Sequence, residues 1–98
     1  MKILHIREGV SDFAEDKDAA ATMREDEIRP ALRKRGKVVL DFSGVTLTTQ
    51  SFIHALISDL LRSDGEKILK RIEFKGCAPG VRGIIETVVQ YSLETLDR

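Results

Sequence analysis

Short apolar runs alternate along the chain with longer stretches in which apolar positions recur at helical spacing. The clearest run is Val38–Phe42, which has Gly36 before it and Ser43-Gly44 after it. A run of this length between turn residues predicts a strand that is buried on both faces. Apolar and polar residues alternate over Lys2–Arg7 and over Arg71–Lys75, which predicts two more strands.

Two features refine this set of strands. The polar side of Arg71–Lys75 predicts a position at or near a sheet edge. After the turn signal Glu8-Gly9, the segment Val10–Phe13 is a candidate for a short return strand.

Helical spacing of apolar residues predicts three helices. They cover Asp16–Arg35, Phe52–Arg62, and the chain from Pro79 to its end. Pro30 lies inside the first helix and predicts a kink or break within residues 26–30, because proline removes a backbone hydrogen bond and clashes with the preceding turn. The remaining segment, Lys67–Lys70, is predicted to be a connection.

The order of strands and helices predicts an α/β fold. Strands that alternate with helices give a mixed, mostly parallel β-sheet, here of about three to five strands with about three helices and right-handed crossovers. The chain has 98 residues and contains no linker, internal repeat or low-complexity segment, so we expect one domain over residues 1–98.

Composition narrows the range of partners and compartments. Acidic and basic residues balance at 16 each, Trp is absent, and no apolar run reaches the length of a membrane helix. We therefore expect no nucleic-acid partner and no membrane partner. Cys77 is the only cysteine, so an internal disulfide is excluded, and a cytoplasmic location is expected.

Common catalytic and cofactor motifs are absent from the sequence. There is no P-loop, no Gly-x-Gly-x-x-Gly after a strand and no Gly-x-Ser-x-Gly elbow. His5, His54 and Cys77 lie on separate predicted elements and do not have the spacing of a metal site. We expect no catalytic residues, no metal and no cofactor; an enzyme that uses His54 with Asp41 or Ser51 is the least supported alternative.

The most distinctive polar feature is a hydroxyl cluster between the central strand and the second helix. Its members are Thr46, Thr48, Thr49 and Ser51. Unpaired N–H groups at a helix start attract a capping hydroxyl, and they also favour a bound or covalent anion. The cluster is therefore interpreted either as a helix cap or as a phosphorylation or ligand site. A helical wheel places Ser51, His54, Ser58 and Arg62 together, opposite the apolar stripe.

These residues carry a resemblance to a known superfamily. The strand and turn Val38–Val45, the polar loop Thr46–Ser51 and the helix that opens at Phe52 resemble the STAS superfamily of sulphate-transporter and anti-sigma-factor-antagonist domains. The similarity is strongest to small bacterial STAS-like domains of uncharacterised function. The order of elements agrees over nearly the whole chain, and the resemblance implies a STAS-like fold.

The resemblance also implies a function for the loop. In anti-sigma-factor antagonists, a histidine-kinase-like ATPase phosphorylates the second hydroxyl of this loop, and Ser51 occupies that position. Thr49, Gln50 and Phe52 stand where the superfamily has aspartate, a first hydroxyl and glycine. We expect a non-enzymatic protein-interaction module of bacterial signalling with Ser51 as the phosphorylation candidate; the alternative is a sensor of a small ligand or nucleotide. The expected binding residues are Thr48, Thr49, Gln50, Ser51, His54 and Ser58.

Overall fold

A central parallel strand organises the structure. A computed structural model describes residues 1–34 and 36–96 of the chain. The strands are β1 (Lys2–His5), β2 (Phe13–Ala14), β3 (Val38–Asp41), β4 (Leu47–Thr48) and β5 (Ile72–Lys75). The main sheet has the order β1-β3-β5, and β2 pairs with β4 in a second, smaller sheet. Each of the pairings between these strands is parallel, which confirms the predicted α/β fold with a mostly parallel sheet.

The two sheets also test the predicted strand positions. β5 lies at an edge of the main sheet, as its polar side predicts. The candidate return strand at Val10–Phe13 was misplaced, because the strand found there is β2, which covers Phe13–Ala14 and runs parallel to β4. β1 ends at His5, and residues beyond it form the single helical turn α1 (Ile6–Gly9).

Successive residues of β3 point to opposite faces of the main sheet. Val38 and Leu40 point into the main hydrophobic core, together with Phe42 just beyond the strand. Val39 points to the opposite face, where Ile3 and Glu73 are its partners on the neighbouring strands. Val39 is 4% exposed and Phe42 is fully buried, so the prediction of a buried central strand is confirmed.

Three long helices pack on the core face, and the middle one contacts the other two. Helix α2 covers residues 17–33 as Lys17–Met23, Arg24–Ile28 and Arg29–Arg33. Helix α3 covers residues 50–64 as Gln50–Ile53, His54–Ser58 and Asp59–Asp64. A 3₁₀ helix (Glu66–Arg71) follows where a connection was predicted, and helix α4 (Pro79–Leu96) completes the described chain. The predicted end of α2 at Arg35 lies outside the described residues.

The middle segments of α2 and α3 are π-helical turns, which hold one residue more than an α-helical turn. In α2 this turn covers Arg24–Ile28 and ends just before Pro30. The interruption predicted within residues 26–30 is therefore present as a widened turn, and the chain remains helical on both sides of it. The two π turns face each other, and Nη1 of Arg24 donates a hydrogen bond of 2.6 Å to the carbonyl oxygen of Ala55.

Candidate functional site

The threonines of the hydroxyl cluster hold the start of α3 in place. Thr46 Oγ1 donates to the Asp12 carbonyl oxygen at 3.3 Å, and Thr48 Oγ1 donates to the Ala14 carbonyl oxygen at 2.9 Å. Thr49 is the N-cap of α3, where its Oγ1 accepts a hydrogen bond of 3.1 Å from the N–H of Phe52. These contacts support the capping interpretation for Thr49 and give Thr48 a structural role between β2 and β4.

The cap positions the next residues at the surface. The helix begins at Gln50, two residues earlier than predicted, so Gln50 and Ser51 lie in its first turn and are exposed. Phe52 is fully buried, so the residue that stands where the STAS motif has glycine anchors the helix start in the core. Ser51 is therefore presented on a fixed helical turn.

A groove brings part of the predicted site together. It has a volume of about 530 Å³, and Gln50, Ser51 and His54 line it from α3. The remaining lining residues come from α2, α3 and α4: Lys17, Ala55, Thr87, Val88 and Tyr91. Among the described residues that line the groove, Lys17 is the one lysine or arginine. Gln50 and Ser51, which also line it, lie at the N-terminus of α3, where the helix dipole favours negative charge. The groove therefore suits an anionic group beside the Ser51 hydroxyl.

The residues contributed by α2 and α4 were not found from the sequence. Lys17, Thr87 and Tyr91 are more than thirty residues away from Ser51 along the chain, and nothing in their local spacing marks them. They reach the groove because α2 and α4 both pack against α3. Tyr91 is 61% exposed, so most of its side chain is accessible to a partner at the groove.

Ser58 does not belong to this surface, contrary to the expectation from the helical wheel. It is 3% exposed, and its hydroxyl oxygen lies 3.1 Å from that of Ser92 on α4. The wheel assumes about 100° per residue, whereas the π turn His54–Ser58 has more residues per turn. The wider turn shifts the register, so Ser58 faces α4 and His54 remains exposed.

Asp41 pairs with a different histidine from the one considered in the enzyme alternative. Its Oδ2 lies 3.3 Å from Nδ1 of His5, and its Oδ1 accepts a hydrogen bond of 2.9 Å from the N–H of Ser43. Hydrogen bonding from Ser43, together with the nearby His5 and Lys75, lowers the pKa of Asp41 below its usual value. His54 lines the groove at α3, so no His54–Asp41 pair is formed.

Cys77 and the other potential ligands show no activated arrangement. Cys77 is partly buried, and burial raises the pKa of its thiol, which disfavours the reactive thiolate. Within residues 1–34 and 36–96, no group of three or more His, Cys, Asp or Glu side chains is placed to hold a metal ion.

In the same part of the chain, no helix combines the length and apolar character that crossing a membrane requires.

Comparison with known proteins adds one finding. Residues 23–82 match a family model described as a STAS-like domain of unknown function (DUF4325). This match covers α2 from Met23 onward, then β3, the hydroxyl cluster, α3 and β5, and it ends in the first turn of α4. Neither curated proteins nor solved structures gave a match.

Proposed function

Since the chain belongs to the family of STAS-like domains of unknown function, we propose that it is a non-enzymatic protein-interaction module of bacterial signalling. Like the anti-sigma-factor antagonists that it resembles, it would bind its partner through the surface around Ser51. The observation that carries this proposal is the exposure of Ser51 in a groove that is also lined by the exposed Tyr91.

Exposed apolar side chains of the small sheet favour a protein partner. Phe13 and Leu47 are register partners in the small sheet and are 39% and 60% exposed. Leu47 lies two residues before the N-cap of α3, so this pair leads directly to the turn that carries Ser51. Phe13 and Leu47, like Tyr91, are exposed aromatic and aliphatic residues of the kind that protein interfaces bury.

Phosphorylation of Ser51 would switch binding at this surface. A phosphoserine adds about −1.5 to −2 charges and three acceptor oxygens. The start of α3 and the nearby Lys17 tolerate this charge, so the fold would persist. A docked partner would have to desolvate the phosphate, so binding would weaken. The enzyme proposed to add the phosphate is an ATPase of the histidine-kinase type, which would also be the partner.

The decisive experiment compares Ser51→Asp and Ser51→Ala with the wild-type chain. Each form is immobilised and used to capture proteins from the native host, and the captured protein is then titrated against all three. Ser51→Ala should bind like the wild type, and Ser51→Asp should bind roughly tenfold more weakly or worse. Ser63→Asp is the matched control, because Ser63 is exposed near the other end of the same helix.

The control separates a local effect from a general one. Ser63→Asp should keep the wild-type affinity, and melting curves should show that all variants remain folded. Equal affinity of Ser51→Asp and the wild type would exclude a charge switch at Ser51. If no protein is captured by any form, the interaction proposal itself fails.

A small-ligand or nucleotide sensor is the second candidate, and the size of the groove favours it. A volume of about 530 Å³ falls within the range of small-molecule sites, and His54, Tyr91 and Lys17 offer two rings and a cation. A thermal-shift screen with nucleotides would test it, because a bound ligand raises the melting temperature by mass action. A shift that Lys17→Met abolishes would support the sensor; no shift with any nucleotide would exclude nucleotide sensing.

A further inference from the structure

A second groove lies on the other side of α4 from Ser51. It has a volume of about 790 Å³ and runs between α4, the edge strand β5 and the 3₁₀ helix. Its floor is apolar and consists of Leu69, Phe74, Ile85, Val89 and Leu93. All of these except Ile85 are only partly buried, so the floor offers apolar surface to a partner.

Three of the floor residues form a straight ridge along α4, and Phe74 lies beside this ridge. Ile85, Val89 and Leu93 are spaced by four residues on α4, so they form one line that is about 12 Å long at the helical rise. Phe74 borders this line from β5, and its ring lies against that of Phe42 in the core, with 6.5 Å between the ring centroids. The apolar floor of the groove therefore extends along about two turns of α4.

The rim of the groove is acidic. Among the described residues that line the groove, three are glutamates, Glu66, Glu86 and Glu94, and one is a cation, Arg82. Within the part of the chain that the structure describes, none of these glutamates lies within ion-pairing distance of a lysine, arginine or histidine. Because the chain as a whole has no net charge, this excess of negative charge is a local property of the rim.

We propose that this groove docks a basic amphipathic helix of a partner protein. Apolar residues of that helix would lie along the Ile85–Val89–Leu93 ridge, and its flanking lysines or arginines would face the glutamates. A helix suits the groove better than an added strand, because a line of side chains and not the free edge of β5 supplies most of the floor. This docking does not depend on Ser51, which lines a separate groove.

The test selects peptides without assuming their sequence. A display library of random peptides of about 15 residues, which is about four helical turns, is enriched on the immobilised chain. The enriched peptides should carry apolar residues at positions i, i+4 and i+7 with lysine or arginine beside them. Glu86→Lys with Glu94→Lys should weaken their binding roughly tenfold, and Val89→Gln should weaken it roughly tenfold to a hundredfold.

A matched control and four possible contradicting outcomes decide the proposal. Glu73→Lys reverses an exposed charge on β5 outside the groove and should leave peptide binding unchanged. Melting curves confirm that each variant is folded; if Val89→Gln unfolds the chain, the charge variants still decide. The proposal is overturned if no peptide is enriched, if the enriched peptides are acidic or extended, or if Glu86→Lys with Glu94→Lys binds them like Glu73→Lys. A dimer of the chain that Glu86→Lys dissociates would instead assign the groove to a second copy.

Discussion

Ser58 of α3 and Ser92 of α4 place their hydroxyl oxygens 3.1 Å apart, and both side chains are buried. No buried side-chain nitrogen or oxygen in the described residues lacks a hydrogen-bond partner. This pair is therefore a polar contact between two helices whose facing surfaces are otherwise largely apolar. One hydroxyl donates and the other accepts, and each would lose this partner if the other were removed.

The contact between Ser58 and Ser92 predicts that the effects of their substitutions on stability are not additive. Ser58→Ala or Ser92→Ala alone should lower the free energy of unfolding by about 1–3 kcal/mol, because the remaining hydroxyl is left buried without its partner. The double variant should be closer to the wild type than the sum of the two single variants. Urea denaturation of the four forms gives the coupling energy directly. Strictly additive losses would show that the two hydroxyls do not support each other.

We predict that Arg24 stabilises the contact between the two π turns. Its guanidinium donates to the Ala55 carbonyl oxygen across the interface between α2 and α3. Arg24→Met keeps much of the apolar stem but removes the donor, so it should lower the free energy of unfolding by about 1–3 kcal/mol. Arg62→Met, at an exposed arginine of α3, should change it by less than about 0.5 kcal/mol. Equal effects of the two substitutions would exclude a bridging role for Arg24.

Two glycines should respond to alanine in opposite directions. Gly76 has a φ of +68°, and an added Cβ would collide with Ser43 Oγ and lie 3.0 Å from Asp41 Oδ1. Gly76→Ala should cost at least about 1–2 kcal/mol of stability. Gly83 lies inside α4 with open space around it, so Gly83→Ala should stabilise the chain by about 0.5–1 kcal/mol. Thermal melting of both variants measures the signs; stabilisation by Gly76→Ala would contradict the packing described around Asp41.

Asp41 should make stability depend on acid pH. Because its pKa is lowered in the folded chain, the charged carboxylate favours folding. This contribution is fully present above the unfolded pKa of about 3.9 and is lost as the pH falls through that value and then through the lower folded pKa. The stability difference between the wild type and Asp41→Asn should therefore shrink as the pH drops below about 4.

A second variant checks the cause of this dependence. The hydrogen bonds from Ser43 contribute most to the lowered pKa of Asp41. Ser43→Ala removes the side-chain donor but keeps the N–H, so it should reduce the pH-dependent part of the difference and leave some of it. Urea unfolding at a series of pH values provides the measurement. A difference between the wild type and Asp41→Asn that is constant across the series would rule out this linkage.

The sequence determined the three strands of the main sheet, the three long helices, their order and much of the core. The apolar run at Val38–Phe42 and the four-residue spacing in α4 are local patterns, and local patterns specify which side of an element is buried. The cap at Thr49 could be predicted from the sequence for the same reason, because it depends on residues only three positions apart. The exposure of Ser51 in the first turn of α3 follows from that cap.

Only the tertiary structure decided which residues share a surface. The register of a helix depends on its turns, and the π turn in α3 moved Ser58 from the expected exposed side to a buried contact with Ser92. Lys17 and Tyr91 reach Ser51 through helix packing, which a pattern within one segment does not encode. Likewise, Asp41 meets His5 because β1 and β3 pair in parallel register, although 36 positions separate these two residues in the sequence. Contacts of this kind depend on how elements dock, so the groove around Ser51 became visible only in the folded chain.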